Sequence, residues 1–160
     1  MTLVAIRAMA AADLTAAVEV VRAHSADDGR LAERYFRRYC ADPERVASPR
    51  EGNLVATVDG TLVGVVSYGP DKYDWADLLW LNRLYVHRAA RRRGIGSRLL
   101  QEVVERARAL QIRKLYLDTD FPAPCEAALR LYQRFGFQEE GGLLDYYRPG
   151  EHRLVMGLRL

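Results

Sequence analysis

One stretch in the middle of the chain does most to limit what it can fold into. Between Leu81 and Leu100, an apolar run typical of a strand passes through an arginine-rich turn, Arg91-x-x-Gly94-x-Gly96, and leaves as an amphipathic helix. Glycines let a backbone come close to a ligand, and the first N–H groups of a helix have no partner within it. Because these groups lie at the positive end of the helix dipole, the stretch predicts an anion site that suits a phosphate.

The spacing of this turn is a weak signal by itself, since short glycine patterns recur by chance. It is neither the dinucleotide fingerprint G-x-G-x-x-G nor the phosphate loop G-x-x-x-x-G-K-S/T. A plain alternative is a basic surface turn whose glycines serve only its geometry. Ser97 likewise has two interpretations, because its hydroxyl could cap the helix or contact a phosphate oxygen.

A family resemblance emerges when a second stretch is considered. The run Leu84-Tyr85-Val86 followed by Arg91-x-x-Gly94-x-Gly96 resembles the acetyl-CoA-binding motif, Q/R-x-x-G-x-G/A, of the GNAT N-acetyltransferase superfamily. The run from Ala128 to Phe137 resembles the later A-x-x-L-Y-x-x-x-G-F motif of the same family. The two motifs occur in the family's order, and the resemblance covers nearly the whole chain.

The resemblance implies an α/β fold in a single N-acetyltransferase domain that spans residues 1–160. It implies a mixed, mostly antiparallel central sheet of about seven strands flanked by four helices. The central strand and its neighbour would be splayed apart to admit the pantetheine arm of acetyl-CoA. With 160 residues and a hydrophobic fraction of 49%, the chain is long and apolar enough to bury one such core.

Local patterns place the individual elements. Helices are predicted at roughly Ala11–His24, Leu31–Cys40, Gly96–Leu110 and Cys125–Phe135, with a break at Asp27-Asp28-Gly29. Strands are predicted at Leu3–Arg7, Asn53–Val58, Thr61–Tyr68, Leu79–Val86, Lys114–Asp118, from Phe137 onward and at Arg153–Leu160. Asp59-Gly60 is a preferred hairpin turn, and a second turn is predicted from Asp145 to Glu151. Strict alternation along the central strand predicts one face formed by Trp80, Asn82, Leu84 and Val86.

The resemblance and the anion site together give the expected contacts of the acyl donor, acetyl-CoA. Its pyrophosphate is expected at the N–H groups between Arg92 and Ser97, and its pantetheine arm along the backbone of the central strand. The expected contacts are Leu84, Tyr85, Val86, Arg91, Arg92, Arg93, Gly94, Ile95, Gly96 and Ser97. Leu84 to Val86 could instead be core strand residues only, although backbone pairing and side-chain packing can both hold.

Tyr132 is the expected catalytic residue, because the family resemblance places a general acid at this tyrosine. A thiolate leaves when a thioester transfers its acyl group, and a nearby phenol can protonate it. The alternative is a packing aromatic beside Leu129 and Phe135. Cys125 departs from the family pattern, in which an asparagine at this position often contacts the cofactor. No histidine is placed by sequence to activate Cys125 as a nucleophile.

The general base is the least defined part of the site. Members of the family often use a glutamate on the central strand, but Trp80-Leu81-Asn82-Arg83 holds no carboxylate. A chain of waters without a single base is an equal alternative to a side chain. The candidate side chains are Asp77, Asp118, Asp120, Tyr68 and His87.

These residues predict an acetyl-CoA-dependent N-acetyltransferase in which a neutral amine attacks the thioester directly. A primary amine of a small molecule is favoured over a protein lysine or N-terminus. The acceptor is expected to enter over three segments, residues 24–30, 71–78 and 145–151. The rivals are a non-catalytic CoA-binding regulatory module and, less favoured, a basic nucleic-acid-binding protein.

Composition narrows the remaining choices. The net charge is +3 and the sequence pI about 9.0, with arginines concentrated around the glycine turn, which favours a phosphate-bearing ligand over a diffuse cationic surface. The chain has no recognisable nucleic-acid motif, no metal-ligand spacing, and no apolar run long enough to span a membrane. Two cysteines make no disulfide framework, so both are expected reduced and the protein cytoplasmic. A homodimer is conceivable but has no clear signature.

Overall fold

The computed structural model describes residues 3–122 and 126–160, and within them it shows the predicted α/β fold. One seven-stranded sheet has the strand order β1-β2-β3-β4-β5-β7-β6, and every neighbouring pair except β4–β5 is antiparallel. The strands are β1 (Val4–Ala8), β2 (Gly52–Val58), β3 (Thr61–Gly69), β4 (Leu78–Val86), β5 (Lys114–Phe121), β6 (Gln138–Arg148) and β7 (Glu151–Arg159). The helices are α1 (Leu14–Arg22), α2 (Ala26–Cys40), the short α3 (Pro43–Ala47), α4 (Ile95–Ala109) and α5 (Glu126–Arg134).

Two apolar clusters, one on each face of the sheet, hold the helices in place. The larger joins α4 and α5 to strands β2, β3, β4, β5 and β7 and includes the fully buried Leu99, Leu115 and Met156. The smaller joins α1 and α2 to β2 and β3, around the fully buried Phe36 and Val65. Burial of such side chains is the main favourable contribution to folding. None of the helices in the described ranges is long and apolar enough to cross a membrane.

The hairpin between β2 and β3 confirms the turn predicted at Asp59-Gly60. Both residues have a positive φ, 48° and 83°, as the mirror-image turns of tight hairpins require. Gly136 follows α5 with a φ of 93°, which confirms the predicted helix stop.

The break predicted at Asp27-Asp28-Gly29 is wrong, because these residues form the first turn of α2. The Ser25 side chain caps this helix by accepting from the Asp28 N–H at 3.2 Å, and the two aspartates suit the positive end of its dipole. Gly29 is needed for close packing, since a Cβ there would lie 2.7 Å from the Cβ of Arg22 on α1. A glycine that reads as a helix breaker therefore marks the point where two helices cross.

The face predicted for the central strand is also wrong, because β4 contains a bulge. Tyr68 of β3 pairs with Leu81 and Ser67 pairs with Arg83, which leaves Asn82 as an extra residue. A single extra residue reverses the alternation that follows it. Leu84 and Val86 consequently lie with Leu79 and Leu81 in the larger apolar cluster, on the α4 face of the sheet. Trp80 faces the opposite side, where its ring stacks on that of Tyr116 with 5.2 Å between the ring centroids.

The turn predicted from Asp145 to Glu151 is wrong in extent. Strand β6 continues to Arg148, and only Pro149 and Gly150 connect it to β7. The strand keeps its pairing by a shift in register near Asp145, whose φ is 52°. Asp145 is fixed there by its N–H, which donates to His152 Nδ1, and by its carboxylate, which accepts from the Gly150 N–H at 2.7 Å.

Candidate active site

The central feature of the candidate site is a gap beside the second half of β4. Strands β4 and β5 pair from Leu78–Lys114 to Leu81–Leu117. Beyond that point β5 continues to Phe121 along β7, while β4 continues to Val86 along β3. The predicted splay of the central strand from its neighbour is thus confirmed, and it begins at the bulge.

The edge of β4 that faces this gap carries backbone groups from alternate residues. Hydrogen-bonded and non-hydrogen-bonded pairs alternate along an antiparallel ladder. The His87 N–H donates to the Val63 carbonyl at 2.8 Å, and the register is continuous back through Tyr85 opposite Val65. The N–H and C=O groups of Tyr85 therefore pair with β3, whereas those of Leu84 and Val86 point into the gap.

At the end of the gap lies the arginine-glycine turn, which opens helix α4. Arg92 and Gly94 both have a left-handed conformation, with φ of 61° and 73°, and Gly94 is the residue that caps the helix. The first helical bond runs from the Arg98 N–H to the Gly94 carbonyl at 3.0 Å. The N–H groups of Ile95, Gly96 and Ser97 precede it and are available to an anion, as in other backbone nests.

The side chains of the turn fit the same arrangement, with one correction. Ser97 is the third residue of α4 and Gly94 is its cap, so of the two interpretations of Ser97 the capping one does not hold. Arg91 reaches back to the strand, where its Nε donates to the Val86 carbonyl at 3.0 Å. Arg92 and Arg93 are exposed beside the nest. A Cβ on Gly96 would make an ordinary contact with Leu131 at 3.5 Å, which is consistent with the Gly/Ala choice in the motif.

Tyr132 lies on α5, on the face of the sheet that α4 also covers. Its side chain is 7% exposed and belongs to the larger apolar cluster, with its ring edge-on to Phe137 at 5.9 Å. Its phenol is also near enough to Tyr85 to be among the groups that raise the pKa of Tyr85. Packing and catalysis therefore remain compatible at this residue. Cys125 lies outside the described residues.

The structure separates the candidates for the general base. Asp77 is bonded to Arg113 at 2.8 Å at the start of β4, away from the gap. Tyr68 is buried, and its ring packs directly on the backbone of Gly52, where a Cβ would lie only 2.7 Å from the ring. His87 directly follows the last residue of β4, and its Nδ1 accepts from the Ala89 N–H at 3.3 Å.

The two aspartates of β5 differ from each other. Asp118 is paired with Arg153, whose Nε donates to its carboxylate at 2.6 Å. Asp120 lies further along the strand, and Tyr147 of β6 is close enough to influence the pKa of its carboxyl. Partial burial of Asp120 raises the pKa of its carboxyl, against the opposing effect of Tyr147, and partial burial together with the charges of Asp118 and Asp120 raises the pKa of Tyr147 to about 12.

On the other side of the gap, α2 meets β4 through a contact that the sequence did not reveal. The Tyr85 hydroxyl donates to the Asp28 carboxylate at 3.2 Å, and the His24 ring lies edge-on to Tyr85 at 5.2 Å. Burial is the main cause that raises the pKa of Tyr85, and the charge of Asp28 adds to it. From the sequence, Asp28 could be named only as a member of residues 24–30, one of the segments expected to admit the acceptor. Its own position was interpreted as a break between two helices.

Two of the three segments predicted to admit the acceptor reach this gap. Residues 24–30 bring Asp28 to β4, and residues 145–151 bring Tyr147 to β5. The third, residues 71–78, lies at the opposite end of β4, where Arg50 donates to the carbonyls of Trp75 and Leu78. Across the residues that the structure describes, no group of three histidine, cysteine or acidic side chains is arranged to hold a metal ion.

Comparison with known proteins assigns the family. The model of the Acetyltransferase (GNAT) family matches residues 16–137, which include β4, the turn, α4 and α5. The chain belongs to this family of acyltransferase enzymes. Its similarity to the GNAT superfamily, expected from two motifs, is thereby confirmed.

Curated relatives share part of the chain. The protein named "Probable N-acetyltransferase camello" from Xenopus tropicalis is 35% identical over 111 residues, 68% of this chain but 49% of its own length. An uncharacterized N-acetyltransferase of Escherichia coli K12, YjgM, is 27% identical over 84% of this chain and 79% of its own. The spermine/spermidine N(1)-acetyltransferase of Bacillus subtilis is 32% identical over 53% of this chain and 58% of its own.

Solved structures show the same fold over nearly the whole chain. A GNAT-family protein from Desulfovibrio desulfuricans superposes with a TM-score of 0.87 at 24% identity, covering 98% of this chain and 99% of the other. YncA of Salmonella typhimurium, solved with acetyl-CoA, superposes with a TM-score of 0.75 at 18% identity, covering 98% and 94%. At these identities the likeness concerns the fold.

Proposed function

We propose that this protein transfers the acetyl group of acetyl-CoA to a primary amine of a small molecule. The observation that carries the proposal is the continuity of two features: the open backbone edge of β4 runs directly into the nest at the start of α4. An extended amide chain that ends in a pyrophosphate fits this pair of features. Acetyl-CoA has that form, and YncA of the same fold was solved with it.

The donor would be held mainly by backbone groups. Its pantetheine amides pair with the N–H groups of Leu84 and Val86 and with the Leu84 carbonyl, in the manner of an added strand, while the Val86 carbonyl accepts from Arg91. Its pyrophosphate accepts from the N–H groups of Ile95, Gly96 and Ser97, and the exposed guanidinium groups of Arg92 and Arg93 add charge-assisted contacts. Tyr85 contributes through its side chain, because its backbone is already paired with β3.

The transfer proceeds by direct attack in a ternary complex. The lone pair of the neutral amine attacks the thioester carbon, and the carbonyl π electrons move to oxygen. An N–H of β4 that faces the gap, such as that of Leu84, stabilises the oxyanion. The C–S bond then breaks with its electron pair on sulfur, and the Tyr132 hydroxyl protonates the leaving thiolate. The nitrogen loses its remaining extra proton, which restores the phenol through water.

Support for a cationic acceptor comes from the other wall of the gap. Aromatic rings and carboxylates line it, with Tyr85 and Asp28 on one side and Tyr147 and Asp120 on the other. Such groups suit a cation. The partial match to the spermine/spermidine N(1)-acetyltransferase also supports a small amine. A lysine or N-terminus of a protein is the competing acceptor.

Two measurements test this function, and a pair of glycine variants provides the control. Acetyl-CoA at a hundred times its Kd should stabilise the fold by about 2.7 kcal/mol in a thermal-shift titration, with ATP and a short DNA duplex as comparison ligands. Gly94→Glu should abolish this shift by placing a carboxylate in the nest. Gly60→Glu is the matched control, because Gly60 also has a left-handed φ and open space around it but lies in the β2–β3 turn.

Acetyl transfer should be followed by mass spectrometry of the product, since the protein carries thiols of its own. The acceptor panel contains spermidine, phenethylamine, a lysine-containing peptide and a peptide that begins with alanine. Turnover of either small amine above both peptides supports the proposal. Tight acetyl-CoA binding without transfer to any acceptor would instead define a CoA-binding regulatory module. A saturable shift with DNA or ATP alone would mean that the turn binds a different phosphate.

A further inference from the structure

The acceptor amine arrives protonated at neutral pH, since alkylammonium groups have pKa values near 10. It must lose a proton before it can attack a thioester. β4 presents no carboxylate to the gap, because the stretch that borders it contains only Asn82, Arg83, Leu84, Tyr85 and Val86. A side chain that acts as the base would therefore come from a neighbouring element.

Asp120 is the β5 carboxylate that the fold leaves available. Strand β5 parts from β4 after Leu117, so Asp118 and Asp120 both follow the point where the gap opens, on the sheet face of Tyr116. Arg153 is the register partner of Asp120 on β7, yet its guanidinium donates to Asp118. The ion pair removes Asp118 as a proton acceptor and leaves Asp120 facing a phenol, that of Tyr147.

The surroundings of Asp120 come from four elements. Tyr147 approaches from β6, Glu151 and Arg153 from β7, Asp118 from β5 itself, and Asp28 from α2 across the gap. Glu151, Asp118 and Asp28 are acidic, and the one basic group, Arg153, is already bonded to Asp118. Partial burial is the main cause that raises the pKa of Asp120. The nearby carboxylates of Asp28, Glu151 and Asp118 raise it further.

Asp28 is less suited to the same role. Its carboxylate already accepts the Tyr85 hydroxyl, and Arg83 on β4 is close enough to interact with it. It can nevertheless attract an ammonium group into the gap. Asp28 is therefore bonded to a phenol, whereas Arg153, the basic register partner of Asp120, is bonded to Asp118 instead of to Asp120.

We propose that Asp120 is the general base of the reaction. The ammonium group of the acceptor gives one proton to Asp120, which yields a neutral amine and a carboxylic acid. The amine then attacks the thioester as described above, and Asp120 returns its proton to solvent after the amide has left. This assignment rests on the proposed function, since it names the base for that same reaction.

The test compares Asp120→Asn with Asp118→Asn over pH 5.5 to 10. The probe is whichever of spermidine and phenethylamine the wild-type protein acetylates faster. In the wild type, kcat/KM should reach a plateau between the pKa of Asp120 and that of the amine, because the carboxylate supplies the free amine within the complex. Asp120→Asn should lower kcat/KM at pH 7 by about 100-fold.

The shape of the profile is the decisive readout. Without Asp120, kcat/KM should rise with pH in proportion to the free amine in solution. The loss in kcat/KM relative to the wild type should therefore shrink to less than about tenfold near pH 10. Asp118→Asn removes a carboxylate from the same strand and face and should keep the plateau. Acetyl-CoA should stabilise both variants as it does the wild type, which shows that donor binding and folding are intact.

Other results would overturn the assignment. A plateau in Asp120→Asn with a loss below about threefold would exclude Asp120 as the base and favour a chain of waters. Equal losses and equal profiles in both variants would show a general effect of charge on this face. A wild type that binds acetyl-CoA but acetylates no amine would contradict the proposed function itself, and the assignment of Asp120 would fall with it.

Discussion

At Tyr132 the proposed chemistry would depend on packing. Its ring lies against Phe137 within the apolar cluster under α4 and α5, which fixes its position. A phenol that is fixed in this way needs no reorganisation when charge appears on a nearby sulfur. The packing alternative considered for Tyr132 therefore describes the means by which a catalytic hydroxyl would be held.

Removal of that hydroxyl should affect the chemical step alone. In Tyr132→Phe the ring and its packing remain, so acetyl-CoA affinity should stay within about threefold of the wild type, while kcat falls by about 10- to 100-fold. Steady-state kinetics together with a thermal-shift titration separate these two effects. Tyr39→Phe, at another buried tyrosine on α2, is the control and should leave kcat unchanged. A wild-type kcat in Tyr132→Phe would leave the tyrosine with a packing role only.

The residues that the sequence could predict are those whose role depends on their neighbours in the chain. Gly94 and Gly96 are defined by the strand, turn and helix that they join, and that local order was sufficient to predict an anion site. Asp28 is different, because its partner Tyr85 is 57 residues away and on another element. Asp120 could be named as a candidate but not distinguished from Asp118, since the distinction depends on where Arg153 points.

At the scale of elements, one small residue sets how closely helices α1 and α2 approach each other. α2 begins at Ala26 and crosses α1 at Gly29, where the backbone of Arg22 is too close for a side chain. This crossing places Asp28 beside Tyr85, so the contact between α2 and β4 at the gap depends on it. The sequence pattern alone could not show the crossing, because a glycine beside two aspartates is more typical of a turn.

The two glycines that lie inside helices should respond oppositely to alanine. Alanine is favoured over glycine in a helix by about 1 kcal/mol, but at Gly29 its Cβ would lie 2.7 Å from Arg22 Cβ. Gly29→Ala should therefore lower the free energy of unfolding by about 1–3 kcal/mol. Gly96→Ala is the matched control; its Cβ has room, and stability should be unchanged or higher by up to about 1 kcal/mol.

Urea denaturation of the unliganded protein measures both changes. Equal stabilisation of the two variants would mean that α1 can move away from α2 at little cost, and the packing role of Gly29 would be wrong. The same comparison tests the correction to the sequence-based helix boundary, since a glycine in a flexible break would tolerate alanine.

Among the features of individual elements, the bulge at Asn82 is the one that the sequence indicates least. Alternation of apolar residues along Leu79–Val86 predicts a regular strand, and no residue in it marks an interruption. The pairing of Ser67 with Arg83 and of Tyr68 with Leu81 is set by the partner strand. The family resemblance anticipated the splay, but the reversal of the β4 face became visible only from the register.

Over the whole molecule, the sheet is continuous at one end of β4 and open at the other. β1 to β4 carry α1 and α2 on one side, while β5 to β7 form the other half, and the large apolar cluster with α4 and α5 joins the halves beneath the gap. A ligand in the gap would complete the sheet by supplying the partner that β4 lacks there. Acetyl-CoA should therefore act as a strand as well as a substrate.

Hydrogen exchange along β4 tests this idea with single-residue resolution. The N–H groups of Leu84 and Val86 face the gap and should exchange rapidly in the free protein, whereas that of Tyr85 is paired with Val65 and should exchange slowly. With acetyl-CoA at a hundred times its Kd, exchange at Leu84 and Val86 should slow by about 100-fold, because those two amides would be bonded to pantetheine. Tyr85 serves as the internal comparison, since its amide is already paired with β3 and should exchange slowly with or without the ligand. Rapid exchange at Leu84 and Val86 that persists in the protein saturated with acetyl-CoA would mean that the ligand is not the missing strand of this sheet.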